Sequence, residues 1–185
     1  MATACLDITC STDCEDQLPA VLFDICAPEV HFGQISKVYM TNIGNPLLDE
    51  TDAAEWATRM ALLVTDPTRI IELSVIGDKP AAEANILEIS RGRKVAGLKN
   101  HTINVRIDET NQINYEMMRK FECGKGILFW YETYEGILYG GNVGIEGSLL
   151  MNHIIPESAQ DLETFSGTLT WKSKFHPCRT VSPIV

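Results

Sequence analysis

Hydrophobic and polar positions alternate along most of this chain. The alternation is clearest over residues 99–108, where His101, Ile103, Val105 and Ile107 point one way and polar residues the other. A period of two marks a half-buried strand. The same pattern predicts strands over 34–41, 70–76, 86–91, 127–134, 137–139 and 144–155. A last strand covers 164–175, with Phe165, Leu169, Trp171 and Phe175 on one face. Strands 86–91 and 99–108 read as an antiparallel pair joined around Gly92 and Gly97. Glu135-Gly136 marks the turn of a second hairpin.

Two windows switch to helical spacing. In the first, Asp52 and Glu55 resemble a capping box ahead of Trp56, Met60 and Leu63, and Asp66-Pro67 ends the helix. In the second, over 114–121, Ile113, Met117 and Phe121 fall four apart on one face. Strands interrupted by two short helices predict a mainly β fold, a β-sandwich or partly open barrel with helices at its flank. Residues 1–28 lack any period and hold four of the six cysteines, which reads as an extended N-terminal arm held by its own domain or by a neighbouring subunit. The sandwich domain is expected over 29–175. Residues 176–185, with Pro177 and Pro183, read as an extended C-terminal arm.

Composition narrows the function. The 185 residues are 45% hydrophobic and 22% charged, ordinary for one globular domain. A net charge of −10 argues against binding nucleic acid through its phosphates, which needs Lys and Arg. An acidic wall would instead repel a duplex and let it slide. No stretch reaches the roughly 18 apolar residues of a membrane span, and the first residues lack the basic and apolar regions of a signal peptide. Synthesis inside a cell is therefore expected, with reduced cysteines.

The candidate chemistry is thin. Cys5, Cys10, Cys14 and Cys26, with His31 nearby, supply enough thiolates for a structural zinc, but no CxxC knuckle is present, and plain thiols are the simpler reading. His176 and Cys178 are more distant candidate ligands. Cys123 has no motif that supplies a base or lowers its pKa, so a packed thiol is expected. Gly141, Gly144 and Gly147 outline a loop that lacks the Lys-Ser/Thr of a phosphate loop, and Gly124-Lys125-Gly126 fails in the same way. Turns or bulges account for these glycines. Neither the scattered carboxylates (Glu132, Glu135, Glu146, Glu157, Glu163) nor the four histidines form a catalytic signature. The expected protein is not an enzyme and takes no cofactor. Phe129-Trp130-Tyr131, Tyr134 and Tyr139 carry few interleaved basic residues, so they read as cross-strand packing and not as a base-stacking platform. Arg91-Gly92-Arg93-Lys94 is the densest basic cluster, placed at a hairpin tip where it meets solvent, an acidic neighbour or a phosphate.

The order of elements is similar to that of the tail-tube family of bacteriophage virion proteins. Asp108-Glu109-Thr110-Asn111 leading into Tyr115, Trp130-Tyr131-Glu132, Gly140-Gly141-Asn142 and the closing strand 163–171 resemble structural proteins of Bacteroidetes phages, crAss-like phages included. The resemblance spans about 28–175 as a pattern; the Cys-rich arm is no part of it. It implies a subunit of a homo-oligomeric ring or tube, in the tail tube or the head–tail neck, made in the bacterial host cytoplasm and residing in the virion. Other virion proteins would lie above and below, DNA would pass through the lumen without sequence-specific binding, and no membrane would be involved. Trp56, Arg91, Arg93, Lys94, Met117 and Phe121 are the expected inter-subunit contacts. A capsid-decorating or fibre-attachment protein and a small zinc-stabilised binding module are the alternatives.

Overall fold

The structure, a computed structural model, describes residues 33–158 and 160–184. The described residues form nine strands: β1 (Ile35–Thr41), β2 (Ile71–Asp78), β3 (Glu83–Ile89), β4 (Arg93–Ile107), β5 (Lys125–Thr133), β6 (Ile137–Tyr139), β7 (Ile145–Ile154), β8 (Thr164–Ser173) and β9 (Arg179–Val181). Two helices interrupt them, α1 (Ala53–Met60) and α2 (Gln112–Phe121).

All the pairings are antiparallel. Around the sheet β1 is followed by β2, β4, β8, β7 and β5, and β5 pairs back onto β1. Of the two expected mainly β solutions, the barrel is the one formed. Its interior holds alternate residues from all six strands: Val38 and Met40, Leu73 and Val75, Ile103 and Val105, Leu169 and Trp171, Leu149 and Met151, Ile127 and Phe129. These pairs are two apart because side chains alternate across a strand, so one apolar parity fills the lumen of this small barrel. Helix α2 closes one end with Met118 and Phe121.

A second core lies on the outside of the wall. Outward-facing Tyr39, Leu128 and Trp130 meet Leu47, Trp56 and Ile70 from the segment that carries α1. This second layer explains why β5 reads as a nearly continuous apolar run, since both of its faces are covered. Asp52 caps α1, accepting from the Ala54 N–H at 2.9 Å. Glu55 departs from the expected box: it reaches past the cap to accept from the Leu48 and Asp49 amides and pins the incoming loop.

The structure shifts several boundaries. Helix α2 buries Met118 and Phe121, leaves Met117 part-buried and exposes Ile113, so the buried stripe is rotated from the one expected. Helix α1 ends before Leu63, which is exposed. The turn between β3 and β4 is a tight one at Ser90–Gly92, because β4 runs on as one strand of 15 residues. The C-terminal segment lies along the body: β9 pairs with β6, Ser182 Oγ donates to the buried Glu132 carboxylate at 2.8 Å, and Ile184 packs on the outer core.

Candidate assembly surface

Strand β4 is longer than the barrel needs. Its second half, from Lys99 to Ile107, pairs with β8 and lines the barrel; its first half pairs only with β3. The β3–β4 hairpin therefore stands clear of the barrel with every residue of β3 exposed. Ile86 (62%), Leu87 (52%) and Leu98 (56%) are more than half exposed, and Ile89 and Val95 are exposed as well. The register against β3 slips between Ala84 and Ile86, where β4 takes up an extra residue, so the parity of β4 switches there. Val95, with Leu87 and Ile89 beside it, forms an uncovered apolar stripe on the hairpin face opposite the one continuous with the lumen. An isolated two-stranded ribbon is marginal in water, and a long apolar edge templates association.

Arg91 sits at the tip with φ of 69°, followed by Gly92 at the same angle. The left-handed pair closes the turn tightly, at a steric cost for a residue with a Cβ. Arg91, Arg93 and Lys94 are exposed, and none has an acidic partner among the described residues. The tip thus gathers three unpaired positive charges on a chain of net charge −10.

The far end of β4 shows a complementary feature. Strand β2 pairs with β1 along most of its length, but with β4 only at Ile76, Gly77 and Asp78. Continued pairing would bring Val75 opposite Ile107, where β4 stops and the chain leaves through 108–110 to the Asn111 cap of α2. Among the described residues, the β2 edge over Ile71–Val75 is left without a second strand. An open cleft of about 380 Å3 occupies the gap, lined by Glu72–Ile76, Arg106–Glu109 and Asn114.

The remaining expected contact residues belong to the cores of this chain. Trp56 is completely buried; its Nε1 donates to the Glu50 carbonyl at 3.0 Å, and its ring meets Tyr39 and Trp130 edge-on. Phe121 is buried at the barrel end, and Met117 packs beside it. Neither Trp56 nor Phe121 has surface to offer a partner, because an amphipathic helix on a barrel turns its apolar face inward. The aromatic run of β5 is core, as expected: Trp130 Nε1 donates to the Gly141 carbonyl at 2.7 Å. The glycines of that loop serve close packing, since a Cβ on Gly144 would fall 2.8 Å from Trp130 Cζ2.

Cys5, Cys10, Cys14, Cys26 and the N-terminal arm lie outside the described residues. Cys123 is free and exposed, not packed, and Cys178 is disulfide-bonded, which departs from the expected set of reduced thiols. Among the described residues no three His, Cys, Asp or Glu side chains are grouped to hold a metal ion, and no helix is long and apolar enough to cross a membrane.

One polar residue is buried for no evident structural return. His101 is 1% exposed, stacked on Trp171 at 4.9 Å and edge-on to His176 at 5.5 Å. Neither ring nitrogen makes a well-formed hydrogen bond; the nearby Ser173 backbone is too poorly placed to satisfy one. Burial, then the charge of Lys79, then His176 and Lys99, hold the His101 pKa below its usual value, and His176 is lowered by burial and the same two lysines.

The sequence signals for the hairpin were the alternating strands and the basic tip. The cleft had no local signal, because it arises from where two strands stop pairing. No protein-family model matches the chain, and no curated protein matches it.

Proposed function

We propose that this protein is a non-enzymatic structural subunit of a bacteriophage virion, assembling into a ring or tube in the tail tube or the head–tail neck. The observation that carries the proposal is the β3–β4 hairpin, which runs on beyond the barrel and leaves Leu87, Ile89 and Val95 exposed along one of its faces. A monomer gains nothing from such a ribbon, whereas an assembly buries it. The closed barrel supplies a rigid body, and rotational closure of a ring hides the hairpin edges. The net charge of −10 suits a lumen that DNA crosses without adhering. Virion residence, assembly in the host cytoplasm and neighbouring virion proteins rest on the resemblance in element order.

Sedimentation and negative-stain electron microscopy of the purified full chain test the reading. Rings or tubes with a central channel are expected, and their symmetry separates tube from neck. A protein that stays monomeric at every concentration and salt condition overturns it.

A further inference from the structure

We infer that the hairpin tip of one copy docks into the β2–β4 cleft of the next copy, so that subunits join head to tail along β4. The inference rests on the assembly reading above and names its contact.

Four observations converge. First, the donor and the receiver lie at opposite ends of one strand. Arg93 opens β4 and Ile107 closes it, about 45 Å apart in an extended strand. A contact between opposite ends of the same body is heterologous and repeats from copy to copy. Second, each side presents an incomplete sheet. Among the described residues, strand β3 has no partner on its outer edge, β4 from Arg93 to Leu98 has no β8 beside it, and Ile71–Val75 of β2 has no neighbour on the cleft side. Strand addition satisfies such edges.

Third, the charges are complementary. The tip carries Arg91, Arg93 and Lys94, while the cleft is lined by Glu72, Asp108 and Glu109 against the single Arg106. Arg106 is already engaged with Asp108 at 2.9 Å, and Glu72 with Lys37 at 3.3 Å. Glu109 is exposed; its carboxylate accepts from the Asn111 side-chain amide at 2.9 Å, and no cation pairs with it among the described residues. Fourth, apolar side chains are exposed on both sides: Leu87, Ile89 and Val95 on the hairpin, Ile71 and Ile76 on β2. Ile71 and Ile76 lie on opposite faces of β2, and an added strand sends alternate side chains to each face, beside one isoleucine on either side.

A charge exchange tests the contact on the full chain. One variant reverses the tip (Arg91→Glu, Arg93→Glu, Lys94→Glu); the other reverses the cleft (Asp108→Lys, Glu109→Lys). All five positions are exposed, and unchanged circular dichroism and melting confirm folding. Each variant alone places like charges across the contact, and its assembly should need a roughly tenfold or greater rise in concentration. Mixed one to one, the acidic tip meets the basic cleft and the basic tip meets the acidic cleft, so assembly should return to within about threefold of the original chain. If the unaltered protein assembles and both variants assemble equally well alone, the contact is wrong and the assembly reading survives. Variants that fail alone and also fail when mixed overturn the pairing of tip with cleft. An unaltered protein that never assembles overturns both.

Discussion

Replacing Trp56 with alanine distinguishes a core residue from an assembly contact. The side chain is completely buried between α1 and the outer face of the barrel. A tryptophan side chain removes about 150–250 Å2 from water, worth about 4–6 kcal/mol at about 25 cal/mol per Å2. A partly collapsed unfolded chain reduces that figure by about 10–40%, to about 2–5 kcal/mol, which overlaps the about 3–5 kcal/mol usual for a buried Trp→Ala change and expected for this one. The loss is concentrated at the outer layer, because Tyr39 and Trp130 each lose an edge-on ring partner and the Glu50 carbonyl loses its donor. For a chain of this length about 1 kcal/mol moves the melting temperature by roughly 2–4 °C, so a fall of about 6–20 °C is expected. Thermal unfolding followed by circular dichroism reads it, with Trp56→Phe as the milder comparison. A fall under about 2 °C accompanied by loss of assembly would refute the core assignment and make Trp56 a surface contact.

Two further outcomes follow from the same packing. Gly144→Ala combines a φ of +73° with a Cβ 2.8 Å from Trp130 and 2.9 Å from Leu128, and should cost about 2–4 kcal/mol by chemical denaturation. Gly136→Ala, with φ of +75° and open space around it, should cost only the backbone share of about 1–2 kcal/mol; equal losses would show that the Trp130 contact contributes nothing. For pH, the folded state disfavours protonation of His101 and His176, whose ordinary value is 6.5, so the unfolded chain binds more protons below it. Stability is therefore fully present above about pH 6.5 and is lost as pH falls toward the depressed folded values. A melting temperature that rises on acidification from about pH 7.5 to 5.5, or a slope unchanged in His101→Gln, would contradict the two-histidine account.

Strand and helix periods were legible locally. The alternation of Ile103, Val105 and Ile107 requires one buried face whatever lies opposite, and Asp52 before an amphipathic turn marks a helix start in almost any context. The aromatic run of β5 was likewise readable as core, although not as the shared wall of two cores. Trp56 and Phe121 were misplaced at subunit contacts because an apolar helical stripe looks the same whether it meets its own barrel or another chain. Strand β9 went unseen, since three residues paired only at an edge carry no period.

The buried parity of the barrel strands, the helix starts, the acidic balance and the basic tip were all readable along the chain, because each depends on neighbours within a few residues. Closure of the sheet through β1 and β5, the run of β4 past the barrel as an uncovered hairpin, and the parting of β2 and β4 at a cleft emerge from the folded arrangement alone. These are consequences of strand length and register between segments far apart in the chain. Side-chain period fixes which face is buried, but it does not fix where a strand finds a partner or runs out of one.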